Sequence, residues 1–185
     1  MDKRIVENER VKKSIEEAFF TLLKKKPFSE ITVSDIIRVS GVARASYYRN
    51  FESKEEIIEA YMGRQRNEVA HMITFSESVS DIFNEEKLVT ALEHYLQQKE
   101  YILLLYDNGF GTFLQEDMNR FAEFSIGDMP QMSMERYSLY FLSGAMFNTT
   151  IQWLKSGAVE SPQQMAKAFI RMLSKNSLYT DEKKV

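Results

Sequence analysis

The sequence predicts an all-α protein of about nine helices, separated by capping residues, glycines and prolines. Apolar residues recur at three- and four-residue spacing along most of the chain, as they do on one face of a helix. No stretch alternates apolar and polar residues in the way that a half-buried strand does. These two observations and the punctuation between the apolar segments together favour a purely helical fold.

The first predicted helix stops before Pro27. Its apolar face falls at helical spacing and consists of Val11, Ile15, Ala18, Phe19, Leu22 and Leu23. We expect Lys24, Lys25 and Lys26 to lie in its last turn, where cations complement the helix dipole. This run is interpreted as a solvated helix end, with phosphate contact as the alternative. Residues 1–8 are expected to form a mobile arm.

Between Thr32 and Lys54 the pattern predicts two short helices joined by a tight turn. Thr32 is suited to cap the first helix, and Asp35 three residues later completes a capping box. Gly41 can take the positive φ that ends a helix and turns the chain sharply. Residues 44–50 then have room for about two helical turns. This arrangement is a helix-turn-helix motif.

The helix that follows the motif is predicted to begin at Lys54 and to continue through Gly63 to about Phe75. Phe51 offers a buried anchor in front of it, and Ser53-Lys54-Glu55-Glu56 forms a second capping box at its start. The polar segment 76–80 follows the helix. We therefore expect a helix-turn-helix domain at 1–62, with the start of this linking helix, and a second helical domain at 63–185.

The second short helix of the motif offers hydrogen-bond donors and aromatic rings with no acidic side chain among them. Its candidate contact residues are Arg44, Ser46, Tyr47, Tyr48, Arg49 and Asn50. Such a surface suits the phosphate backbone and the base edges of DNA. The sequence therefore predicts double-stranded DNA as a partner.

The pattern G-V-x-R-x-S-Y-Y-R-x-F-x-S-K-E-E, preceded by I-T-V-x-D-I, closely resembles the DNA-binding domain of the TetR family of bacterial transcriptional regulators. The resemblance spans roughly Val11 to Met62. Two positions depart from the family's habit: Ala43 stands where Ser or Thr often caps the recognition helix, and Ile37 stands where a small Ala is common. Neither departure removes a DNA contact.

The resemblance implies a role for each of these side chains. Arg44 would read bases in the major groove, with Ser46 and Tyr47 next to it. Arg49 would contact either bases or phosphates. The residues implied to contact phosphates, two of them at helix N-termini, are Tyr48, Asn50, Thr32 and Lys54.

The C-terminal part of the chain reads as helical throughout. Residues 101–106 are apolar and predict a short helix buried on all sides, which the Asp107-Asn108-Gly109 segment breaks. Residues 126–132 predict a loop. A long helix is expected from Met134 to about Lys155, ending at Gly157. Ser161-Pro162-Gln163-Gln164 opens the last helix with a capping serine, a proline at the first position and a glutamine that closes the box.

The last two helices are predicted to pair with their copies in a homodimer, because the first of them carries two apolar faces and therefore needs two partners. The segments F-L-S-G-A-M and W-L-K-S-G-A-V-E-S-P-Q-Q-M-A are also similar to the C-terminal region of many TetR-type regulators. The predicted interface consists of Tyr137, Tyr140, Phe141, Gly144, Ala145, Asn148, Ile151, Ala166, Phe169, Ile170 and Leu173.

A ligand pocket inside the helical C-terminal domain is implied by the family resemblance. Aromatic and methionine side chains suit an adaptable apolar pocket, although each of them is more often an ordinary core residue. For His94 a surface position or a satisfied core position is the alternative. The candidate lining residues are His94, Leu105, Tyr106, Phe110, Phe113, Phe121, Phe147 and Trp153.

Charge is divided unevenly along the chain, although the net charge is only −3. Residues 1–66 carry 14 Lys and Arg against 11 Asp and Glu, a surplus of +3, while the remainder carries 10 against 16, or −6. Counterion release is a local effect, so an acidic protein can still bind DNA through a basic module. With no membrane-spanning run and no apolar signal segment at its start, the protein is expected to be cytoplasmic.

Enzymatic function is not expected. The chain has no cysteine, its two histidines lie far apart, and no glycine-rich phosphate loop or metal-ligand spacing is present. No metal or cofactor is therefore expected. The sequence predicts a homodimeric repressor that a small-molecule effector releases from a palindromic operator. The alternatives are an activator of the same fold, or a helical module that binds a ligand or a protein without operator binding.

Overall fold

The computed structural model describes residues 3–73, 84–126 and 134–175, and these ranges contain nine α-helices and no strand, which confirms the all-α prediction. The chain divides into two compact units, Met1–Arg66 (the N-terminal unit) and Asn67–Val185 (the C-terminal unit). No helix in the described ranges is long and apolar enough to span a membrane. The helices are α1 Lys3–Leu23, α2 Val33–Ser40, α3 Arg44–Asn50, α4 Glu55–Met72, α5 Glu85–Gln97, α6 Lys99–Leu105, α7 Gly111–Ile126, α8 Met134–Lys155 and α9 Pro162–Lys175.

The first helix differs from its prediction at both ends. It is already helical at Lys3, so residues 3–8 are not the separate arm that the sequence suggested. It ends at Leu23, and Lys24 and Lys25 follow it in a turn and do not form its last turn. The ammonium group of Lys26 donates to the carbonyl of Glu30 at 2.8 Å and so belongs to the next segment, a 3-10 turn at Phe28–Glu30.

The start of α2 has the predicted capping box. The Thr32 hydroxyl accepts a hydrogen bond from the Asp35 backbone N–H at 3.1 Å, and the Asp35 carboxylate accepts from the Thr32 backbone N–H at 3.2 Å. The same carboxylate also accepts from Lys26 at 2.8 Å and from Arg38 at 3.0 Å. These donors, with Lys26 the strongest, followed by Thr32 and Arg38, hold the pKa of Asp35 well below its usual range.

The N-terminal unit is also tied together by a partly buried ion pair between α1 and α4. Glu16 is only 4% exposed, and its two carboxylate oxygens accept from the two terminal nitrogens of the Arg64 guanidinium, one of them at 2.7 Å. Arg64 also lies over the ring of Tyr61. A bidentate pair of this kind fixes both distance and orientation. The first turns of α4 therefore belong to the packing of the N-terminal unit.

The fourth helix ends at Met72, short of the predicted Phe75. The polar segment 76–80 lies outside the described residues. At the N-terminal end of α4, the Ser53 hydroxyl accepts from the Glu56 backbone N–H at 3.3 Å, as in a capping box. The Glu56 carboxylate, however, accepts from the backbone N–H of Glu52 and not from that of Ser53.

In the C-terminal unit, α5 packs against α9 and α7 packs against α8. The prediction that residues 101–106 are buried on all sides is wrong, because only Leu105 is fully buried and its neighbours are half-buried. Gly109, at φ 90°, kinks the chain within a π-helical turn at Tyr106–Phe110, which leads directly into α7. The break predicted there is therefore a kink between two helices.

The bounds of α8 and the start of α9 agree with their predictions. α8 runs from Met134 to Lys155, and Gly157 after it has a φ of 100°, in the left-handed region that favours glycine. The Ser161 hydroxyl accepts from the Gln164 backbone N–H at 3.2 Å, while the Gln164 side chain accepts from the Ser161 backbone N–H at 2.8 Å. The predicted capping box of α9 is confirmed.

Asp35→Asn is expected to lower the melting temperature at neutral pH, because the variant loses the carboxylate that Lys26 and Arg38 contact. Folding lowers the pKa of Asp35, so its contribution to stability is present above the ordinary aspartate pKa of about 3.9 and is lost as the pH falls below it. Thermal unfolding of both proteins from neutral to acidic pH should show the gap in melting temperature closing on acidification. Glu30→Gln, which removes an exposed carboxylate nearby, is the control. A gap that stays constant with pH contradicts the role given to Asp35.

Candidate nucleic-acid interface and ligand cavity

The recognition helix candidate, α3, is held in place through one buried side chain. Tyr47 has no exposed surface, and its hydroxyl donates to the backbone carbonyl of Ser53 at 3.2 Å. Its ring packs edge-on against Tyr48, with centroids 5.3 Å apart, and at a tilt against Phe51 at 6.2 Å. Ala43 precedes the helix in an extended conformation and makes no side-chain cap, as the sequence predicted. The orientation of α3 therefore depends on tertiary packing.

Burial of Tyr47 corrects one predicted contact. The family resemblance placed Tyr47 beside Arg44 at the base edges, but a side chain without exposed surface cannot meet a base. Burial also raises the pKa of its hydroxyl to about 12, so the group stays a neutral hydrogen-bond donor. We assign Tyr47 to the core of the N-terminal unit.

The outward side of α3 carries the exposed residues Arg44, Ala45, Tyr48 and Arg49, which we call the α3 outer face. Tyr48 is 47% exposed, and the Arg44 guanidinium lies 5.7 Å from the centre of its ring. No acidic residue occurs in the helix. Two guanidinium groups and a phenol thus point away from the core on a helix that has no negative charge to repel phosphate.

Ser46 and Asn50 lie on another side of α3, where they are half-buried. The Asn50 amide donates to the Ser46 carbonyl at 2.8 Å within the same helix. Together with Arg49 they line a groove of about 800 Å³ against the beginning of α1, which contributes Glu7 and Glu9. α1 also contributes Arg4 to this groove, so the two carboxylates are accompanied by a cation, whereas α3 itself carries no carboxylate.

The two residues predicted at helix N-termini already take part in the fold. The Thr32 hydroxyl donates to the Asp35 carboxylate at 2.8 Å and also serves in the capping box. The Lys54 ammonium donates to the carbonyls of Phe28 and Ile31 at 2.7 and 2.9 Å, and it lies 4.1 Å from the centre of the Phe28 ring. Lys54 thus joins the 3-10 turn to the start of α4, with one of its three ammonium hydrogens beyond these two bonds.

Along α8 an exposed stripe of mostly apolar residues continues for four turns, and we call it the α8 stripe. Its aromatic members Tyr137 and Phe141 are 60% and 61% exposed, and Met134 is 76% exposed. The stripe consists of Met134, Tyr137, Phe141, Ala145 and Asn148. Four of these residues were predicted at the dimer interface. Large apolar side chains at such exposure on one helix face mark an interaction surface.

Three residues predicted at the dimer interface instead belong to the interior of the C-terminal unit. Ile151 is 2% exposed, Ala166 has no exposed surface and Phe169 is 4% exposed. They pack within their own unit, so the prediction is wrong for them. Tyr140, Gly144 and Ile170 are half-buried, and the side chain of Leu173 lies outside the described part of the chain.

The C-terminal unit contains an apolar cavity of about 90 Å³. It is lined from α5, α7, α8 and α9 and by Ile73, the residue that follows α4, and its wall is almost wholly apolar. The lining residues are Ile73, Lys87, Leu88, Ala91, Leu92, Tyr95, Met118, Phe121, Ala122, Leu139, Leu142, Ser143, Met146, Thr150 and Phe169. The helical spacing of Leu88, Ala91, Leu92 and Tyr95 in the sequence is a signal that could have pointed to this wall.

Of the eight predicted pocket residues, Phe121 lines this cavity and the other seven do not. Leu105 and Trp153 are buried core residues, and the Trp153 indole donates to the Glu160 carbonyl at 3.0 Å. Tyr106 and Phe147 pack against each other, with ring centres 6.4 Å apart. Phe110 and Phe113 are half-buried outside the cavity wall. For these residues the core alternative, which the sequence left open, describes the structure better.

His94, the last of the predicted pocket residues, is 3% exposed and also lies outside the cavity wall. Its Nε2 atom finds no hydrogen-bond partner among the described residues. Burial lowers the pKa of His94, an effect that the charge of Glu68 opposes. In the described part of the chain, no three His, Asp or Glu side chains come together to hold a metal ion.

Comparison with known proteins matches both parts of the chain to families of regulators. Residues 17–61 match the model of the bacterial regulatory proteins of the tetR family, and residues 84–175 match a TetR-type model described as a transcriptional regulator C-terminal region. An uncharacterized HTH-type transcriptional regulator of Bacillus subtilis (strain 168), YxbF, is 25% identical over 179 residues. The match covers 94% of this chain but only 46% of YxbF, so the chain spans about half the length of that relative.

Two solved structures share the fold. A TetR transcriptional regulator from Streptococcus agalactiae 2603V is 21% identical, with a TM-score of 0.66 over 92% of this chain and 97% of its own. The dihydroxyacetone kinase operon activator DhaS is 16% identical, with a TM-score of 0.60 over 90% of this chain and 95% of its own. With a helix-turn-helix in the N-terminal unit and TetR-type models matching both units, the chain belongs to the TetR family of bacterial regulatory proteins.

Proposed function

We propose that the protein is a sequence-specific DNA-binding transcriptional regulator that acts as a homodimer on a palindromic operator and responds to a small-molecule effector. The observation that carries this proposal is the α3 outer face. It projects Arg44, Tyr48 and Arg49 from a two-turn helix that has no acidic residue and is anchored from behind by Tyr47. Arginine pairs with guanine edges in the major groove, and phenols and further arginines suit phosphates.

Within this proposal Arg44 reads bases from the first turn of α3, Tyr48 contacts phosphate, and Arg49 serves either purpose. Ser46 and Asn50 flank them from the side that faces the groove against α1. Thr32 and Lys54, at the starts of α2 and α4, meet phosphates at the two ends of the motif. Because Lys54 also bonds two carbonyls of the fold, replacing it would disturb both structure and binding.

The α8 stripe supports the homodimer. A symmetric pair places two copies of α3 in successive major grooves about 34 Å apart, and so matches a palindromic site. The exposed Tyr137 and Phe141 would be buried by the same stripe of a second copy. The proposed interface is centred on α8. The apolar face of α9, which includes Ala166 and Phe169, is already buried inside the C-terminal unit and cannot contribute.

Effector control is proposed through the cavity of the C-terminal unit. A ligand that binds one conformation of the dimer more tightly shifts the population toward that conformation. If DNA binds the other conformation, ligand and DNA each lower the affinity of the protein for the other. Release from the operator by the ligand corresponds to a repressor. The similarity to the fold of an operon activator, DhaS, supports activation as the second candidate. Where the operator lies relative to its promoter decides between the two.

The test of DNA binding is selection of the purified protein on a randomised duplex library at two salt concentrations, followed by sequencing of the retained DNA. We expect an enriched palindrome whose affinity falls steeply with salt. Arg44→Ala should relax base preference at one position of each half-site, at a cost of about 1–3 kcal/mol for the preferred sequence. Arg10→Ala, an exposed arginine on α1, is the matched control and should keep the full preference. Retention without any enriched sequence would refute the operator-binding proposal.

Phe141→Arg is expected to convert the dimer to a monomer, because two like charges would meet in a stripe that is otherwise apolar. Light scattering coupled to size-exclusion chromatography measures the change in mass. Thr112→Arg adds the same charge at an exposed position of α7 and should leave the dimer intact. If Phe141→Arg keeps the mass of the parent protein, the interface does not lie on the α8 stripe.

The variant Tyr47→Phe tests whether Tyr47 stabilises the core of the N-terminal unit or contacts DNA. The variant loses the bond from the Tyr47 hydroxyl to the Ser53 carbonyl, so the free energy of unfolding in urea should fall by about 1 kcal/mol. The selected DNA sequence should stay the same. Tyr48→Phe, at the exposed neighbour, should have the opposite signature, with unchanged stability and weaker binding to all sequences alike. A changed base preference in Tyr47→Phe would return Tyr47 to the DNA interface.

A further inference from the structure

We propose that the effector cavity takes a compact, uncharged and largely apolar molecule of the alkylbenzene type, and that it excludes acids and amines. This inference rests on the proposed function for its regulatory consequence, but the binding itself depends only on the cavity. The chemistry of the wall, the size of the space and the presence of two unbranched methionine side chains in the wall carry it.

The wall of the cavity offers almost no polar surface. Among its lining residues, Lys87 is the one charged side chain, and because the wall has almost no polar surface we infer that its methylene groups face the cavity. The Ser143 hydroxyl is turned away to donate to the Asn119 side chain at 2.7 Å, and it accepts from Gln115 at 3.4 Å. The hydrogen-bonding capacity of Ser143 is thus used within the protein.

This wall discriminates by charge. A carboxylate or ammonium that left water for this cavity would lose its hydration and gain no partner of opposite charge at the wall. The penalty for burying such an ion remains large even after the surrounding protein relaxes. A neutral hydrocarbon of the same shape gains free energy from each apolar contact instead. The cavity should therefore separate molecules of equal size by their charge.

The size of the space selects compact ligands. An apolar cavity of about 150 Å³ accommodates benzene, and the space here is smaller at about 90 Å³. Met118 on α7 and Met146 on α8 both lie on the wall, and unbranched thioether side chains re-pack more easily than branched ones. Their movement would enlarge the cavity to fit one aromatic ring. Long-chain and multi-ring molecules would require displacement of helices.

The intrinsic fluorescence of a tryptophan near the cavity can report ligand binding. Trp153 is the only tryptophan in the sequence, and it lies in the core cluster that also contains the wall residues Leu88, Leu92 and Phe169. It is 3% exposed, so its fluorescence responds to changes in packing and not to solvent contact. Ligand entry should change its emission in a saturable way.

The experiment titrates the full chain with two matched pairs, ethylbenzene against benzylammonium and isopropylbenzene against benzoate, while Trp153 emission is followed. Each pair has the same number of non-hydrogen atoms and differs in charge. We expect each hydrocarbon to bind at least about 100-fold more tightly than its charged counterpart, the factor that corresponds to a burial penalty of about 2.7 kcal/mol. Equal or tighter binding of benzoate would overturn the proposal and assign Lys87 as an anion-binding residue. No saturable response to either hydrocarbon would overturn it as well.

The variant Ala91→Leu tests whether the ligand binds in the cavity. Ala91 lines the wall from α5, and three additional carbon atoms there should weaken ethylbenzene binding by roughly tenfold or more, because the space is filled. Ala122→Leu, on the α7 side of the wall, provides a second variant in case the first does not fold. Ala60→Leu makes the same change at an exposed position of the N-terminal unit and should bind like the parent. Full binding by both folded wall variants would overturn the assignment of this site.

Binding of the selected operator, measured with and without ethylbenzene, keeps the two proposals apart. Hydrocarbon binding in a protein that selects no DNA sequence supports the cavity assignment and refutes the operator-binding function. Operator binding without any hydrocarbon response refutes the cavity assignment alone. Where both occur, a change in operator affinity on saturation with ethylbenzene supports effector control, and an unchanged affinity refutes the regulatory part of the inference.

Discussion

Burial of the Tyr47 ring is the interaction on which the N-terminal unit depends for its function. Helix α3 has only seven residues and no side-chain cap, and an isolated helix of that length is not stable in water. Tyr47 supplies the missing stability from inside, through its contacts with Tyr48 and Phe51 and its bond to the Ser53 carbonyl. Because one residue of α3 faces inward, the residues around it are fixed outward, and the α3 outer face is a consequence of that packing.

Local signals in the sequence predicted the helix boundaries where a side chain closes its own turn. The capping boxes at Thr32 and Ser161 are examples, because their interacting groups lie within a few residues of each other. The positive φ of Gly41, which ends α2, is likewise a property of one residue. Two features of α1 were not predicted: the helix already begins at Lys3, and the lysine run lies beyond its last residue, Leu23. No glycine or asparagine follows Leu23 to close the C-terminal end of α1, so helical periodicity alone does not reveal where the helix stops.

The candidate sites were harder to predict because helical spacing tells which residues share a face but not what covers that face. Tyr47 and Arg44 are three residues apart in a row of polar and aromatic side chains, yet one is buried and the other exposed. On α8, Phe141 and Ile151 were assigned to one interface, and only Phe141 is exposed. The cavity needs residues from four helices, together with Ile73, to form its wall, so most of its residues could be recognised only after those helices had been placed.

The partly buried ion pair between Glu16 and Arg64 has a consequence for any chimaera that joins the N-terminal unit to a different C-terminal domain. A chimaera joined after Met62 would carry the buried Glu16 carboxylate without its guanidinium partner, and a buried charge without a partner destabilises the fold. A junction placed after Arg66 keeps both partners in the same module, at the position where the chain divides into its two compact units. An N-terminal unit that is to be transferred to another protein should therefore include the first twelve residues of α4, Glu55 to Arg66.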